Sequence, residues 1–365
     1  MFNLFPKKEP PKEEPKTTPI TDRYHVQLNI DKEAIKNIKL VTVAYSHIER
    51  NMFPTQDAYD AEIEVEDRAQ EVAEAVKKLG LEVKLTPGNQ YLLTTLLVDK
   101  PDVVINLVDT LKGKDTLQTS VPAALELSNI PYTGAGMEGL VIGNDRNLTK
   151  RLLIAYDIPT PAFQYIRRAG TAIQEDLGLP LIIKLCGSGG SVGIDNKAVK
   201  ETYQEAKRKI DKMLATYKMP VIAEQFIDGP EITVCVFDDG LKNHVFMGQK
   251  VFRKKPDGKH YFTSHESYED IRAYTYIHVE EPIQTKIARL AIRAFNALDH
   301  KDYAKFDIRY DEHTNTPYFT DSNPNTAFGP DMGLPFTEVA AMYHVSFDDL
   351  IASMLSKYGK QLSKS

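Results

Sequence analysis

The chain is poor in the features that mark most specialised proteins. It has two cysteines, Cys186 and Cys235, in 365 residues. One disulfide is arithmetically open, but a disulfide framework is excluded. No apolar run reaches the ~18 residues that span a bilayer, and the N-terminus lacks the long apolar core of a signal peptide. The expectation is a cytoplasmic protein without a membrane partner. The net charge is −6 and no dense Lys/Arg run occurs outside the tail, which argues against a nucleic-acid partner. The nine histidines are scattered, with no metal-type Cys/His spacing. No Ser-His-Asp or Cys-His arrangement demands a side-chain nucleophile. What remains is the composition of a soluble globular protein, 42% hydrophobic and 26% charged, long enough for two or three packed units.

Residues 1–37 are dominated by Pro, Lys and Glu and are expected to form a disordered tail, with Met1, Phe2, Leu4 and Phe5 as an alternative docking anchor. Lys39–Tyr45 reads as a buried strand. Val65, Ala69, Val72, Val76 and Leu79 recur at helical intervals, predicting a helix over 62–79 that Gly80 closes. Strands at 81–85 and 102–108 and a helix near 117–127 complete an alternation that implies a parallel α/β unit over 38–136. Such sheets bind ligands at the carboxyl ends of their strands, here 46–51 and 109–115. A second unit is expected over 137–358, and a frayed end over 359–365. Within it, Asn144 or Asp145 caps a helix that Ile158-Pro-Thr-Pro161 ends. A mobile loop is expected over 254–275, and helices at 280–298, 337–342 and 346–358.

Two stretches carry chemistry. Leu179–Leu185 is an apolar strand interrupted by Lys184, a charge that is costly there without a partner. Gly187-Ser-Gly-Gly-Ser-Val-Gly193 follows at once, offering unhindered N–H groups and hydroxyls as phosphates require. It is neither a Walker A loop nor Gly-x-Gly-x-x-Gly, and a flexible linker is the plainer alternative. The second stretch is Lys305–Phe328. Phe306, Ile308 and Tyr310 alternate with Lys305, Asp307 and Arg309, and Tyr318–Asp321 resumes an extended pattern after a polar turn. A hairpin brings Asp307 towards Asp321 and Asn323, a hard-oxygen set suited to Mg²⁺. A solvated hairpin with scattered acids is the alternative.

The order of these pieces is specific. A buried-strand lysine precedes a Gly/Ser loop; Glu224-Gln-Phe-Ile-Asp-Gly-Pro-Glu231 follows; then Asp307, with Asp321-Ser-Asn323 fourteen residues on. With Leu148–Leu153 and Ile158–Pro161, the chain from about 39 to 355 resembles the ATP-grasp ligases, in particular the D-alanine–D-alanine ligase-like branch. The resemblance implies an ATP-grasp fold behind an N-terminal parallel α/β domain. It implies an ATP-dependent, Mg²⁺-dependent carboxylate–amine ligase working through an acyl phosphate, with Mn²⁺ as an alternative ion. Its substrates would be a small-molecule acid and amine, amino acid or peptide, and a homodimer is one option. Lys184 would contact the ATP phosphates, with Ser188, Gly189, Gly190 and Ser191 folding over them. Glu224 would take the adenine amino group, Gln225, Phe226 and the backbone near Ile227 the adenine edge, and Glu231 the ribose. Asp307, Asp321 and Asn323 would hold Mg²⁺, and Lys305 and Arg146 would face the transferred phosphate.

Four positions depart from the family. Arg146 replaces its lysine, and Asp321 stands where Glu is common. The lid motif Glu-Ala-Lys-Tyr has only Glu266-Ser267-Tyr268 as its nearest match. Met332 stands where a serine holds the second D-alanine. The last two point away from D-alanine. The competing function is a nucleotide-binding regulator or scaffold that has lost activity; a carboxylate kinase is a third.

Overall fold

The computed structural model describes residues 24–266, 270, 273–330 and 332–363. Short β-branched and leucine-rich runs form three sheets. β1 (Leu40–Ser46), β2 (Glu82–Gly88) and β3 (Val103–Leu107) are parallel in the order β2-β1-β3. Every residue of β3 is buried, as expected of a parallel strand covered on both faces. The Val65–Lys78 helix lays Ala69, Val72, Ala73 and Val76 against this sheet. It starts three residues later than its acids suggested. The Leu92–Asp99 helix has no polar face to betray it and was not expected.

β4 (Phe163–Ile166), β5 (Leu181–Leu185), β6 (Val199–Lys200) and β7 (Val221–Gln225) form an antiparallel sheet ordered β4-β7-β5-β6, against which the Tyr203–Tyr217 helix packs. β8 (Glu231–Asp238), β9 (Asn243–Phe252), β10 (Tyr274–His278), β11 (Tyr303–Asp311) and β12 (Thr316–Asn323) form the third, ordered β10-β9-β8-β11-β12. Ile287, Ala291, Ala294 and Phe295 of the Ile283–Ala297 helix share a core with Ile232, Val234, Phe306 and Ile308 of that sheet.

Three expectations need correction. Ordered structure begins by Tyr24, well before 38, although residues 1–23 lie outside the described part. Tyr24, Val26, Leu28 and Ile30 alternate along the chain and pack into the main core. Asp31 caps the short Lys32–Ile35 helix, which lies on the Phe347–Leu362 helix. Pro/Lys/Glu content averaged over the segment hid that local alternation. The chain end does not fray at 359, since the last helix runs to Leu362. Nor is 254–275 simply loop. Phe262 and Ser264 are buried, and Tyr274 opens β10. Ser267 and Tyr268 lie outside the described residues. Among the described residues no helix is long and apolar enough to cross a membrane.

Gly359 tests the docking of the early segment. A Cβ there would meet the Ala34 carbonyl oxygen at 2.1 Å. Gly359→Ala is expected to cost about 1–3 kcal/mol, as overpacking does, and to lower the melting temperature. An unchanged thermal melt would show that residues 24–38 are not seated on the last helix.

Candidate active site

Every site residue expected from the sequence lines one cleft of about 520 Å³ between the second and third sheets. The hairpin forms as anticipated. Asp307 on β11 faces Asp321 on β12, and Lys305 faces Asn323. A β-bulge after Asp307 leaves Thr320 without a partner in the ladder. Bulges re-aim backbone and side chains next to active sites; here the Thr320 carbonyl accepts a hydrogen bond from Lys184 at 3.4 Å. Arg309, on the polar side of the β11 alternation, is buried. The second face of β11 forms the floor of the cleft, so its polar residues point into the site.

Lys184, in the middle of β5, finds the partner its burial requires. Its Nζ lies 3.1 Å from Glu224 Oε1. A second lysine, Lys150, lies 2.7 Å from the other oxygen of Glu224. The two form a buried ion pair, so Glu224 meets a lysine on each of its oxygens. Lys150 was not anticipated, because a lysine on a helix ordinarily reads as surface.

Arg146 opens the Arg146–Ala155 helix, capped by Asp145, whose carboxylate accepts from the Leu148 N–H. The Arg146 fork donates to the carbonyls of Leu185 (2.7 Å) and Ser188 (2.5 Å) and to Asp321 Oδ2 (2.5 Å). It thus ties the glycine loop to the hairpin. Burial would raise the Asp321 pKa, but Arg146 and Lys184 outweigh it and hold it at about 2. Lys305 lies 2.5 Å from Asp307 Oδ2.

The loop after β5 bends through left-handed backbone at Gly190 (φ +59°) and Ser191 (φ +56°). A Cβ on Gly190 would approach Ala61 to 2.7 Å, so glycine is required for both reasons. The Gly189 N–H donates to Asp115 and the Gly193 N–H to Asp57, each at 3.2 Å. Carboxylates from the N-terminal half thus sit on amides of the kind phosphates use.

At the other end, Glu231 opens β8. Lys250 (2.8 Å) and Thr263 (2.5 Å) donate to one carboxylate oxygen, and Arg309 (3.2 Å) to the other. Burial pushes its pKa up, while Lys250 and Arg309 overcome that and bring it to about 2. Arg309 also donates to the Ile227 carbonyl at 2.5 Å and lies over the Phe226 ring at 4.4 Å. The backbone N–H groups of Gln225 and Phe226 donate hydrogen bonds to the Ala162 and Pro180 carbonyls. Lys250 and Arg309 carried no sequence signal beyond a charge inside a strand pattern.

The donor set of Asp307, Asp321 and Asn323 suits a hard divalent ion. Among the described residues no group of three or more His, Cys, Asp or Glu could hold a metal, so a metal there would have to draw a third protein donor from another residue type, such as the Asn323 amide oxygen.

The family described as D-ala D-ala ligase C-terminus matches residues 152–356, more than half of the chain. The chain is 27% identical over 262 residues to the D-alanine–D-alanine ligase of Polaromonas sp., covering 70% of this chain and 75% of that one. It is 29% identical over 294 residues to that of Bordetella petrii, with coverages of 78% and 85%. The crystal structure of D-alanine–D-alanine ligase from Bacillus anthracis complexed with ATP superposes with a TM-score of 0.68 at 16% identity, over 89% of this chain and 99% of that one. That likeness shows the fold, a parallel α/β unit followed by the two sheets of an ATP-grasp. The chain belongs to the D-ala D-ala ligase C-terminus family and is an ATP-dependent carboxylate–amine ligase of the ATP-grasp fold.

Proposed function

We propose that the cleft binds ATP with its adenine at Glu224–Ile227 and its phosphates under the 187–193 loop. The observation that carries this is that the buried Lys184–Glu224 pair, the 187–193 glycine loop and the Asp307–Asp321 hairpin all line one cleft. Glu224 is an acceptor in its wall, and an adenine amino group is a fitting donor to it. Lys184 and Arg146 then face the phosphates, whose oxygens displace Asp115 and Asp57 from the loop amides. Glu231 receives the ribose hydroxyls.

Asp307, Asp321 and Asn323 hold Mg²⁺, which when bound neutralises phosphate charge and orients it for transfer; Mn²⁺ fits the same donors. A substrate carboxylate attacks the terminal phosphorus and ADP leaves. The amine then attacks the acyl carbon and phosphate departs. Lys305, Arg146 and Lys184 stabilise the charge that develops on the oxygens, the main task of the protein in such a reaction. Use of ATP fits a cytoplasmic enzyme.

D-alanine is not the efficient amine substrate in this reading. Met332 lines the cleft and offers no donor to a free carboxylate, and a buried carboxylate left unpaired costs several kcal/mol. His265 lines the cleft too, but Asp331 lies outside the described residues. Further acids line the same space, Glu62, Asp109 and Asp115 among them. Arg68 pairs with Asp109 at 2.5 Å, and burial raises the Glu62 carboxyl well above its ordinary pKa and that of Asp115 to about 6. The acceptor oxygens of these acids suit an ammonium better than a carboxylate. The amine substrate is therefore larger, less acidic or cationic.

Asp307→Asn and Asp321→Asn should each cut ADP formation on the order of 100-fold or more, the scale of losing one preorganised charge, with the fold retained by circular dichroism. Near-wild-type turnover in either would remove the hairpin as the metal site. Lys184→Ala should cost on the order of 2–4 kcal/mol in kcat/KM for ATP, and Glu224→Ala should blur the preference for ATP over GTP; an unchanged nucleotide preference counts against the adenine role. Purified protein given ATP, Mg²⁺ and D-alanine tests the substrate. Little D-alanyl-D-alanine is expected, and rapid formation at millimolar substrate would sink that assignment.

A further inference from the structure

Three cations face the phosphate end of the cleft, and a carboxylate holds each. Lys184 is on Glu224, Arg146 on Asp321 and Lys305 on Asp307. Once Mg²⁺ occupies Asp307 and Asp321, Lys305 and Arg146 can leave acids that have gained a new counter-charge. Glu224 gains none, since an adenine amino group is a neutral donor. If Lys184 moved onto phosphate alone, Glu224 would stay behind as a buried anion, 1% exposed, with its charge unbalanced. Such a state is strongly unfavourable in a protein interior.

Of these three acids, Glu224 is the one with a second cation within ion-pair distance among the described residues, Lys150 at 2.7 Å. Lys150 is 2% exposed and is not among the described residues that line the cleft. It is anchored from behind. Its Nζ donates to Thr160 Oγ1 at 2.9 Å, and Thr160 donates in turn to the Phe319 carbonyl at 2.8 Å. The Phe163 ring lies 5.8 Å from the ammonium. Lys150 is thus fixed beside Glu224, whereas Lys184 borders the cleft and has somewhere to go.

We infer that Lys150 is a positioning residue: it is the permanent counter-ion of Glu224, and by keeping that charge balanced it releases Lys184 to the phosphates of ATP. The inference rests on the nucleotide site proposed above. It separates two duties that a single Lys184–Glu224 pair could not perform together, holding the acid and binding the phosphate.

The test is ATP affinity, by calorimetric titration of the full chain, for wild type, Lys150→Met, Glu224→Gln and the Lys150→Met/Glu224→Gln double variant. Lys150→Met should weaken ATP binding on the order of tenfold, because Lys184 becomes the sole counter-ion of a buried acid. The double variant should bind ATP as tightly as Glu224→Gln alone, since a neutral amide needs no counter-ion. That second comparison holds even where Lys150→Met by itself does not fold. A purely structural lysine would lower the melting temperature and leave ATP affinity unchanged. That outcome, or a tenfold loss between Glu224→Gln and the double variant, overturns the inference. Lys184→Ala is the control for the site. Wild-type ATP affinity there would overturn the nucleotide site itself, whereas a loss there with an unaffected Lys150→Met overturns only the role of Lys150.

Discussion

A charge taken out of water has to be matched, and in this protein that constraint decides how the cleft is built. Glu224 on β7 is enclosed, and two lysines meet it, one from β5 and one from the Arg146–Ala155 helix. Each element supplies one charge, so the three are locked in relative position. Glu231 repeats the arrangement in the other sheet, drawing Lys250 from β9 and Arg309 from β11. Removing one member of such a group leaves the others buried and uncompensated, which costs more than a lost contact. The acids of the two sheets therefore tie the surrounding elements together.

The same constraint orders a site rich in cations. Arg146, Lys184 and Lys305 would repel one another if left alone in a half-enclosed space. Asp321, Glu224 and Asp307 hold them apart and in place. Asp57 and Asp115 do the equivalent for two amides of the glycine loop. Nucleotide and metal would then exchange partners within a charged lattice already formed, and preorganisation of that kind is the main source of electrostatic catalysis.

Local geometry sets where these groups point. The bulge after Asp307 re-phases the hairpin so that the Thr320 carbonyl meets Lys184 while Asp307 and Asp321 stay opposed. Arg146 contributes what a lysine would not. Its fork reaches a loop carbonyl, a strand carbonyl and a carboxylate at once, with planar geometry that a point charge lacks.

Much of this was legible in the sequence, wherever the signal is local. Period-two alternation over Lys305–Tyr310 and a polar turn determined the hairpin, and with it the approach of Asp307 to Asp321 and Asn323. A lysine within an apolar strand, directly before a glycine loop, marked Lys184. Strand–helix alternation determined the parallel N-terminal unit. What only the tertiary structure decided depends on partners distant in the chain. Arg309 alternates like a surface residue and Lys150 sits on a helix like one, yet both are buried, because acids 78 and 74 residues away fold against them. Residues 24–38 follow directly on a stretch rich in Pro, Lys and Glu, but find a core among helices more than 300 residues later. Burial is a property of the assembled chain, and a charge becomes an interior group only where the fold brings its counter-charge within reach.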